Sequence, residues 1–279
     1  MSAGAWLLAV VVSAAGILAA YGWLEAGWLR TRVREVSVPG LPARLDGLRI
    51  AHLSDFHLGA PLSRGRHATR RAVAWVAERR PDLVCVTGDL VSHPRGEPLL
   101  RELLHALDRP FVVLGNHDVA VTRDPFSQAA ELADLREAVL LRDAAVTIEL
   151  RGARVQVVGV DPVTFQGGRA DPAALSDPAA GLRILLCHFP DVGERASLDG
   201  FHLVLAGHLH AGQISLPLPG GRVALAHPRA RPLTGLHARP GDVVLHISPG
   251  TGTTFVPFRF CARPEATELV LRVAPTIGP

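Results

Sequence analysis

From Gly47 onward the chain alternates short apolar runs with polar loops and amphipathic stretches. Leu48 to Leu53, interrupted by Arg49 and His52, and the apolar runs Leu83 to Thr87 and Pro110 to Leu114 are bounded by Gly, Asp and Asn, the pattern of buried strands. Between them, about His67 to Arg80 carries Ala72, Val73, Val76 and Ala77 on one helical face, and Pro81-Asp82 ends it. A second helix is expected over about Glu97 to Leu107 and a third over about Pro125 to Ala138. Val146 to Leu150 and Val155 to Val160 read as a hairpin around Arg151-Gly152. Gln166 to Ala180 is a Gly/Ala/Pro-rich connection. Leu182 to Cys187, Leu203 to Ala206, Val243 to Ile247 and Glu268 to Val273 read as further strands, with a long loop over about Ser215 to Pro240. Repeated strand, polar loop and helix predict an α/β sheet with crossover helices. In such sheets the site lies off the carboxyl ends of the strands.

The segment before Gly47 has a different pattern. Residues 1–24 carry no charge, and Ala3 to Leu24 is apolar and long enough to span a bilayer as a helix. Trp6, Tyr21, Trp23 and Trp28 fall near its two ends, where interfacial aromatics sit. A cleaved signal peptide would carry positive charge ahead of its apolar core, and none is present. Residues 1–29 therefore read as a retained single-span anchor in the cell (inner) membrane. Residues 30–46 read as a juxtamembrane connector, with Val33, Val36 and Val38 suited to an edge strand, and 47–279 as the main domain. Arg30, Arg32 and Arg34 follow the span, which puts the domain in the cytoplasm.

Composition narrows the function classes. The chain has 279 residues, 48% of them hydrophobic, enough for a sizeable core. Every Lys/Arg position is Arg, and the formal charge of +3 is too mild to argue for a nucleic-acid partner. One Tyr and nine Phe give little material for base stacking. Cys85, Cys187 and Cys261 make no disulfide framework. The first two lie in apolar runs and read as core residues, a role for Cys187 at the site beside His188 being the alternative. No obligate protein partner is implied.

The candidate chemistry sits at the strand ends. Asp55 and His57, Asp89, Asn116 and His117, His188, and His208 and His210 each follow an apolar run. On extended backbone the pairs two apart point the same way. Any one of these pieces alone is an ordinary turn or a satisfied polar residue. Five in succession, each at a strand end, are harder to explain that way. Carboxylate, amide and imidazole together suit divalent first-row metals. Asp55, His57, Asp89, Asn116, His188, His208 and His210 exceed the needs of one ion and suit two with a bridging carboxylate. In Gly115-Asn116-His117-Asp118, Asp118 offers a charge to orient His117. His93 and His227 could approach from loops.

These ordered blocks, Asp55-x-His57, Gly88-Asp89, Gly115-Asn116-His117-Asp118, His188 and Gly207-His208-x-His210, resemble the calcineurin-like metallophosphoesterases over roughly residues 48–275. Gly212-Gln213-Ile214, Pro257-x-Arg259-Phe260 and Pro264-Glu265 resemble the membrane-associated YkuE/YaeI branch, which includes enzymes acting on UDP-2,3-diacylglucosamine. The resemblance implies an α/β fold, a four-layer α-β-β-α sandwich of two mixed sheets, with metals at one rim. It implies Asp55, His57, Asp89 and His210 on one ion and Asp89, Asn116, His188 and His208 on the other. It also implies catalytic roles for His117 and Asp118 and a metal-dependent hydrolase of phosphoric ester or diphosphate bonds. The mixed nitrogen and oxygen donors favour Mn²⁺, then Zn²⁺ or Fe, over Mg²⁺. In Ser248-Pro249-Gly250, Pro249 stands where the branch often has a basic residue, which bears on substrate more than on chemistry.

The anchor points to a phosphate-containing substrate linked to the membrane lipid, UDP-2,3-diacylglucosamine first among named candidates. Arg66 and Arg70 on the first helix, and Arg229 and Arg231 in the late loop, are candidate phosphate contacts. An anchored phosphomonoesterase, or a phosphodiesterase of soluble nucleotides, stays open as an alternative. A metal-bearing scaffold without turnover is a weaker one, since every motif position is filled.

Overall fold

The computed structural model describes residues 2–218, 221–230 and 232–274. Helix α1 (Ala3–Glu25) starts at Ser2, whose side chain accepts from the Ala5 N–H. Its apolar side chains stand exposed until the last turn, where Gly22 and Glu25 are buried against the domain. Gly22 has no side chain, and the Phe260 ring occupies the space that a Cβ would take.

Strand β1 (Arg30–Val38) leads into β2 (Arg49–Leu53), α2 (Gly65–Arg79), β3 (Leu83–Thr87), α3 (Glu97–Ala106), β4 (Phe111–Val113) and β5 (Val139–Leu140). There follow β6 (Ala144–Leu150), β7 (Ala153–Gly159), α4 (Pro162–Gln166), β8 (Leu182–Leu186), α5 (Val192–Arg195) and β9 (Leu203–Ala206). The chain closes through β10 (Ser215–Leu218), β11 (Gly221–Ala224), β12 (Gly235–Arg239), β13 (Val243–Ile247) and β14 (Glu265–Val273).

Two six-stranded mixed sheets form, ordered β1-β14-β2-β3-β4-β5 and β12-β13-β9-β8-β7-β6. They face each other across Ile50, Cys85, Phe111 and Val113 on one side and Val155, Val157, Ile184 and Leu205 on the other. The alternate residues Ala51, Leu53, Val86 and Val112 pack outward on α2 and α3. Val158, Leu185, Val204 and Ala206 pack outward on Phe165, Val192 and Phe201. Strands covered on both faces explain the largely apolar runs. The result is the four-layer α-β-β-α sandwich expected. Its fourth layer is thin, built from short helices and loops.

The N-terminal stretch 30–46, expected as a connector, holds β1. That strand pairs in parallel with β14 along its whole length, so the stretch is part of the first sheet. Residues 125–138 are not helical. Asp124 caps the N–H of Phe126, Gln128 donates to the Ser92 carbonyl, and Leu132 and Leu135 reach the core from turns. Their helix-like spacing is thus satisfied by a loop pinned to its neighbours. The long loop after Ser215 contains the β10–β11 hairpin and the edge strand β12.

Strands β2, β3 and β4 run parallel with aligned ends, as do β8 and β9. All five carboxyl ends open at one rim.

Candidate active site

The residues following those five strands converge. Asp55, His57, Asp89 and His210 bring ligand atoms within 4.8 Å of one another, and so do Asp89, His188 and His208. Asp89 belongs to both groups. Its Oδ1 accepts the N–H of His117 at 2.8 Å. That leaves Oδ2 facing His188 Nε2 at 3.2 Å, His57 Nε2 at 3.5 Å and His117 Nε2 at 4.0 Å. Asn116 Oδ1 lies 3.2 Å from His188 Nε2, which adds the amide to the second group. All seven are buried except His208, which is partly so.

The backbone that achieves this is not extended. Asp55, His57, Asp89, His208 and His210 adopt φ of 53°, 47°, 52°, 72° and 48°. Left-handed backbone at non-glycine residues costs roughly 1 kcal/mol or more each and collects at functional sites. The turn, not strand alternation, brings Asp55 and His57 to one group and sends His208 and His210 to different ones, which corrects the expectation from spacing. Neighbouring glycines leave room for it. A Cβ on Gly115 would overlap the Asp89 carboxylate, and one on Gly207 would overlap Ser54 and Asp55.

A second layer fixes the imidazoles. His57 Nδ1 pairs with Ser92 Oγ at 2.9 Å, and His188 Nδ1 donates to the Thr87 carbonyl at 2.8 Å. Both bonds leave Nε2 facing the cluster, the arrangement that orients metal-binding histidines. His208 instead turns Nδ1 inward, 3.2 Å from His188 Nε2. The His210 backbone and ring lie against the Arg259 guanidinium, which is fully buried. Ser92, Thr87 and Arg259 are contributions that residue type alone does not signal.

The electrostatics favour a cation. Burial opposes ionisation of Asp55 and Asp89, yet the facing histidines hold both carboxyls well below the usual range. Burial also works against charge on His188, but Asp89 and Asp55 push it up to about 9. His208 is pushed down to about 3 by burial and by His188. The two buried carboxylates thus favour positive charge at His188, whose Nε2 lies 3.2 Å from Asp89 Oδ2.

His117 sits beside this cluster, with Nδ1 3.2 Å from Ser127 Oγ and Nε2 3.2 Å from Thr122 Oγ1. Asp118, expected to orient it, has other partners. Its carboxylate accepts the N–H groups of Leu90, Val91 and Gly115 at 2.8, 3.0 and 2.8 Å. It ties two strand-end loops together. Burial and the Asp89 charge push its carboxyl up to about 7 despite those three amides. Of the two loop histidines, His227 does approach, its ring centroid 5.2 Å from that of His208. His93 instead accepts the Arg95 N–H.

Two clefts flank the cluster. One, of about 1120 Å³, runs from His57 past Leu62, Arg66, Arg70 and Arg95 to Trp23 at the foot of α1. Arg66 is exposed there, whereas Arg70 is engaged by Glu102 at 2.8 and 3.2 Å. The other, of about 580 Å³, opens from Asn116 and His208 to Arg229, Arg195 and the stacked rings of Phe165 and Phe189. Arg231 lies outside the described residues. The basic group missing at Pro249 is not restored, since Arg259 reaches that turn but spends its donors on carbonyls, including that of Pro249 at 3.0 Å.

Known proteins resemble this chain. The chain is 28% identical over 275 residues to the uncharacterized metallophosphoesterase YkuE of Bacillus subtilis, covering 93% of each. It is 31% identical over 287 residues to a transmembrane protein with metallophosphoesterase domain of Danio rerio, covering 96% of this chain and 63% of that one. The UDP-2,3-diacylglucosamine pyrophosphatase LpxG of Chlamydia trachomatis is 28% identical over 303 residues, covering 87% of this chain and 89% of LpxG. The calcineurin-like phosphoesterase profile matches residues 48–212, more than half of the chain and the part that carries all seven cluster residues. On that match the chain belongs to the calcineurin-like phosphoesterase family and is a metal-dependent phosphoesterase.

Proposed function

We propose that the protein is a membrane-anchored hydrolase of a phosphodiester or pyrophosphate bond in a lipid-linked substrate. Asp55, His57, Asp89 and His210 would hold one divalent cation, and Asp89, Asn116, His188 and His208 a second. The observation that carries this reading is Asp89, whose Oδ2 faces a histidine of each group, His188 at 3.2 Å and His57 at 3.5 Å. The donors fit: buried, close together, anionic and mixed in nitrogen and oxygen, a set that suits Mn²⁺ first and Zn²⁺ or Fe next. Bound there, such ions lower the pKa of a coordinated water and offset charge on phosphoryl oxygens.

The chain's own residues do the rest. Ser92 orients the His57 ring, and the Thr87 carbonyl keeps a proton on Nδ1 of His188. His117, held between Ser127 and Thr122, would protonate or charge-stabilise the leaving oxygen. Asp118 keeps the loop around it in shape through its three amide bonds.

Helix α1, as a single span with the domain in the cytoplasm, would bring the active site to lipid-borne substrate. The arginines of the larger cleft suit phosphate or pyrophosphate. UDP-2,3-diacylglucosamine is the leading candidate, supported by the named activity of LpxG. A second reading has one observation in its favour. The smaller cleft, with its stacked Phe165 and Phe189 and nearby Arg195, would suit a soluble nucleotide without any lipid.

The test is hydrolysis by the full chain in detergent with Mn²⁺, comparing UDP-2,3-diacylglucosamine with a small chromogenic phosphodiester. Asp89→Asn serves as control. Preference for the lipid, lost in the variant, supports the first reading. Cleavage of nucleotide substrates alone supports the second. If wild type and Asp89→Asn are equally inactive on every substrate, both readings fail.

A further inference from the structure

We propose that the loops around Leu62, Phe126 and Phe255 form an apolar rim seated on the same bilayer leaflet as the foot of α1. The larger cleft would then open toward His57 at the lipid surface. The inference rests on reading α1 as a membrane span.

The level of the membrane follows from helix length. A hydrocarbon core of about 30 Å takes roughly 20 helical residues. A span beginning at Ala3 therefore leaves the core near Gly22 and Trp23. The domain's loops meet the helix at that level. Trp23 Nε1 donates to the Leu62 carbonyl at 2.9 Å, and Arg259 donates its N–H to the Gly22 carbonyl at 3.0 Å. Phe260 packs on Tyr21 with ring centroids 5.7 Å apart. These loops stand beside the last turn of the span and not below it.

The rim side chains that project from them are apolar and open. Leu62 is 83% exposed, Phe126 51% and Phe255 50%, with Val121 and Val256 also exposed. They are held in place. The buried Asp124 accepts the N–H of Phe126 on one oxygen and the N–H of Phe255 on the other, each at 3.0 Å. Gln213 donates to the carbonyls of Thr254 and Val256 at 2.7 and 3.1 Å. Pro61, Phe126, Phe255 and Val256 line one small hollow, so the three loops are neighbours. Buried polar groups thus hold exposed phenylalanines at fixed positions, beside a helix with the same solvent preference. Arg64 over Trp23 and Arg263 over Trp28 add aromatic–cation pairs suited to the headgroup layer. The bilayer is the occupant that matches apolar tips, an arginine fringe and continuity with α1.

The test places a single environment-sensitive label on the full chain in phosphatidylcholine–phosphatidylglycerol vesicles. Cys261→Ser removes the exposed cysteine, leaving Cys85 and Cys187 buried. Separate variants carry Leu62→Cys, Phe255→Cys, Val11→Cys in mid-helix and Glu149→Cys on the exposed face of β6. Lipids bearing a quencher near the headgroup or deep in the acyl region report depth. The expected result is deep quenching at position 11, shallow quenching at 62 and 255 several times that at 149, and little at 149. Quenching at 11 with none at 62 and 255 overturns the rim and leaves the span standing. No quenching at any position overturns both. A response at 62 and 255 to protein concentration, without lipid quenching, marks a protein–protein contact and also overturns the rim.

Discussion

Arg259 joins Gly22 of the apolar helix to His210 of the buried Asp/His cluster. Its backbone N–H donates to the Gly22 carbonyl at 3.0 Å, and its guanidinium donates to the His210 carbonyl at 3.4 Å. The same guanidinium reaches the carbonyls of Gly252 at 2.9 and 2.6 Å, Ala262 at 2.8 Å and Pro249 at 3.0 Å. Burial pulls its pKa down to about 10, opposed by Asp55 and Glu25, so the group stays charged at neutral pH. One side chain therefore closes the loops that hold the helix foot and the cluster's last histidine.

Removing it should be costly. Arg259→Ala leaves several buried carbonyls without donors and a cavity, together about 3 kcal/mol or more. For a domain of this size that is a fall in Tm of about 6–12 °C. Arg259→Lys keeps the charge but not the fork and should recover only part of it. Thermal unfolding in detergent, with Mn²⁺ content measured on the same samples, checks both. An unchanged Tm in Arg259→Ala would show that the carbonyls find other partners.

Gly115→Ala tests steric support of the shared carboxylate. A methyl group there would overlap the side chain and N–H of Asp89. A misplacement of about 1 Å can cost on the order of a hundredfold in rate. The expected outcome is that loss in kcat/KM together with reduced metal content. Gly16→Ala on α1, where a Cβ meets nothing within 4 Å, should change neither. Equal metal content in Gly115→Ala and wild type would sink the idea.

Much of this was legible in the sequence because the two sheets are covered on both faces. Largely apolar runs, broken by Arg49 and His52 in β2 and by Arg183 in β8, marked β2, β3, β8 and β9 closely, and the polar residue after each run marked the rim. Turns were less legible. Pro125 to Ala138 has apolar residues at helical spacing, but only the contacts of Asp124 with Phe126 and Phe255 show why it stays a loop. Asp55 and His57 reach a common point through left-handed backbone, which no side-chain pattern encodes. The supports of the site come from afar. Ser92 is 35 residues from His57, and Thr87 is 101 from His188. Long-range partners of common residue types leave no local signal.

His117 and Asp118 are adjacent in sequence and predicted to fail differently. His117 has polar neighbours on a loop and faces the cluster. His117→Ala should lower kcat by about 10²–10⁴-fold with metal content and Tm kept. Asp118 carries three amide bonds in the core of the rim. Asp118→Ala should cost about 2–3 kcal/mol of stability through those unpaired donors. Steady-state kinetics beside thermal unfolding separates the two effects. A kinetic loss in Asp118→Ala as deep as that in His117→Ala, at unchanged Tm, would restore a direct catalytic role for Asp118.

Far from the site, Glu268 sets an acid limit on the fold. Its buried carboxylate receives Arg49 at 3.1 and 2.8 Å and Arg79 at 2.8 and 2.8 Å. Burial raises its pKa, but the two arginines win and bring it from 4.5 down to about 2. A folded pKa below the unfolded one stabilises the fold above the unfolded value. That contribution drains away as pH falls from about 4.5 toward 2. Both arginines are about one-third exposed, so screening reduces its size to roughly 2 kcal/mol. Glu268→Gln removes the titration while keeping the shape. Wild type should therefore exceed Glu268→Gln in stability near pH 6 and lose most of that margin near pH 3. Urea unfolding of both proteins at the two pH values cancels the contributions of other carboxylates. A margin that is the same at both would mean that the arginines do not hold Glu268 ionised. The link between β2, α2 and β14 would then rest on packing alone.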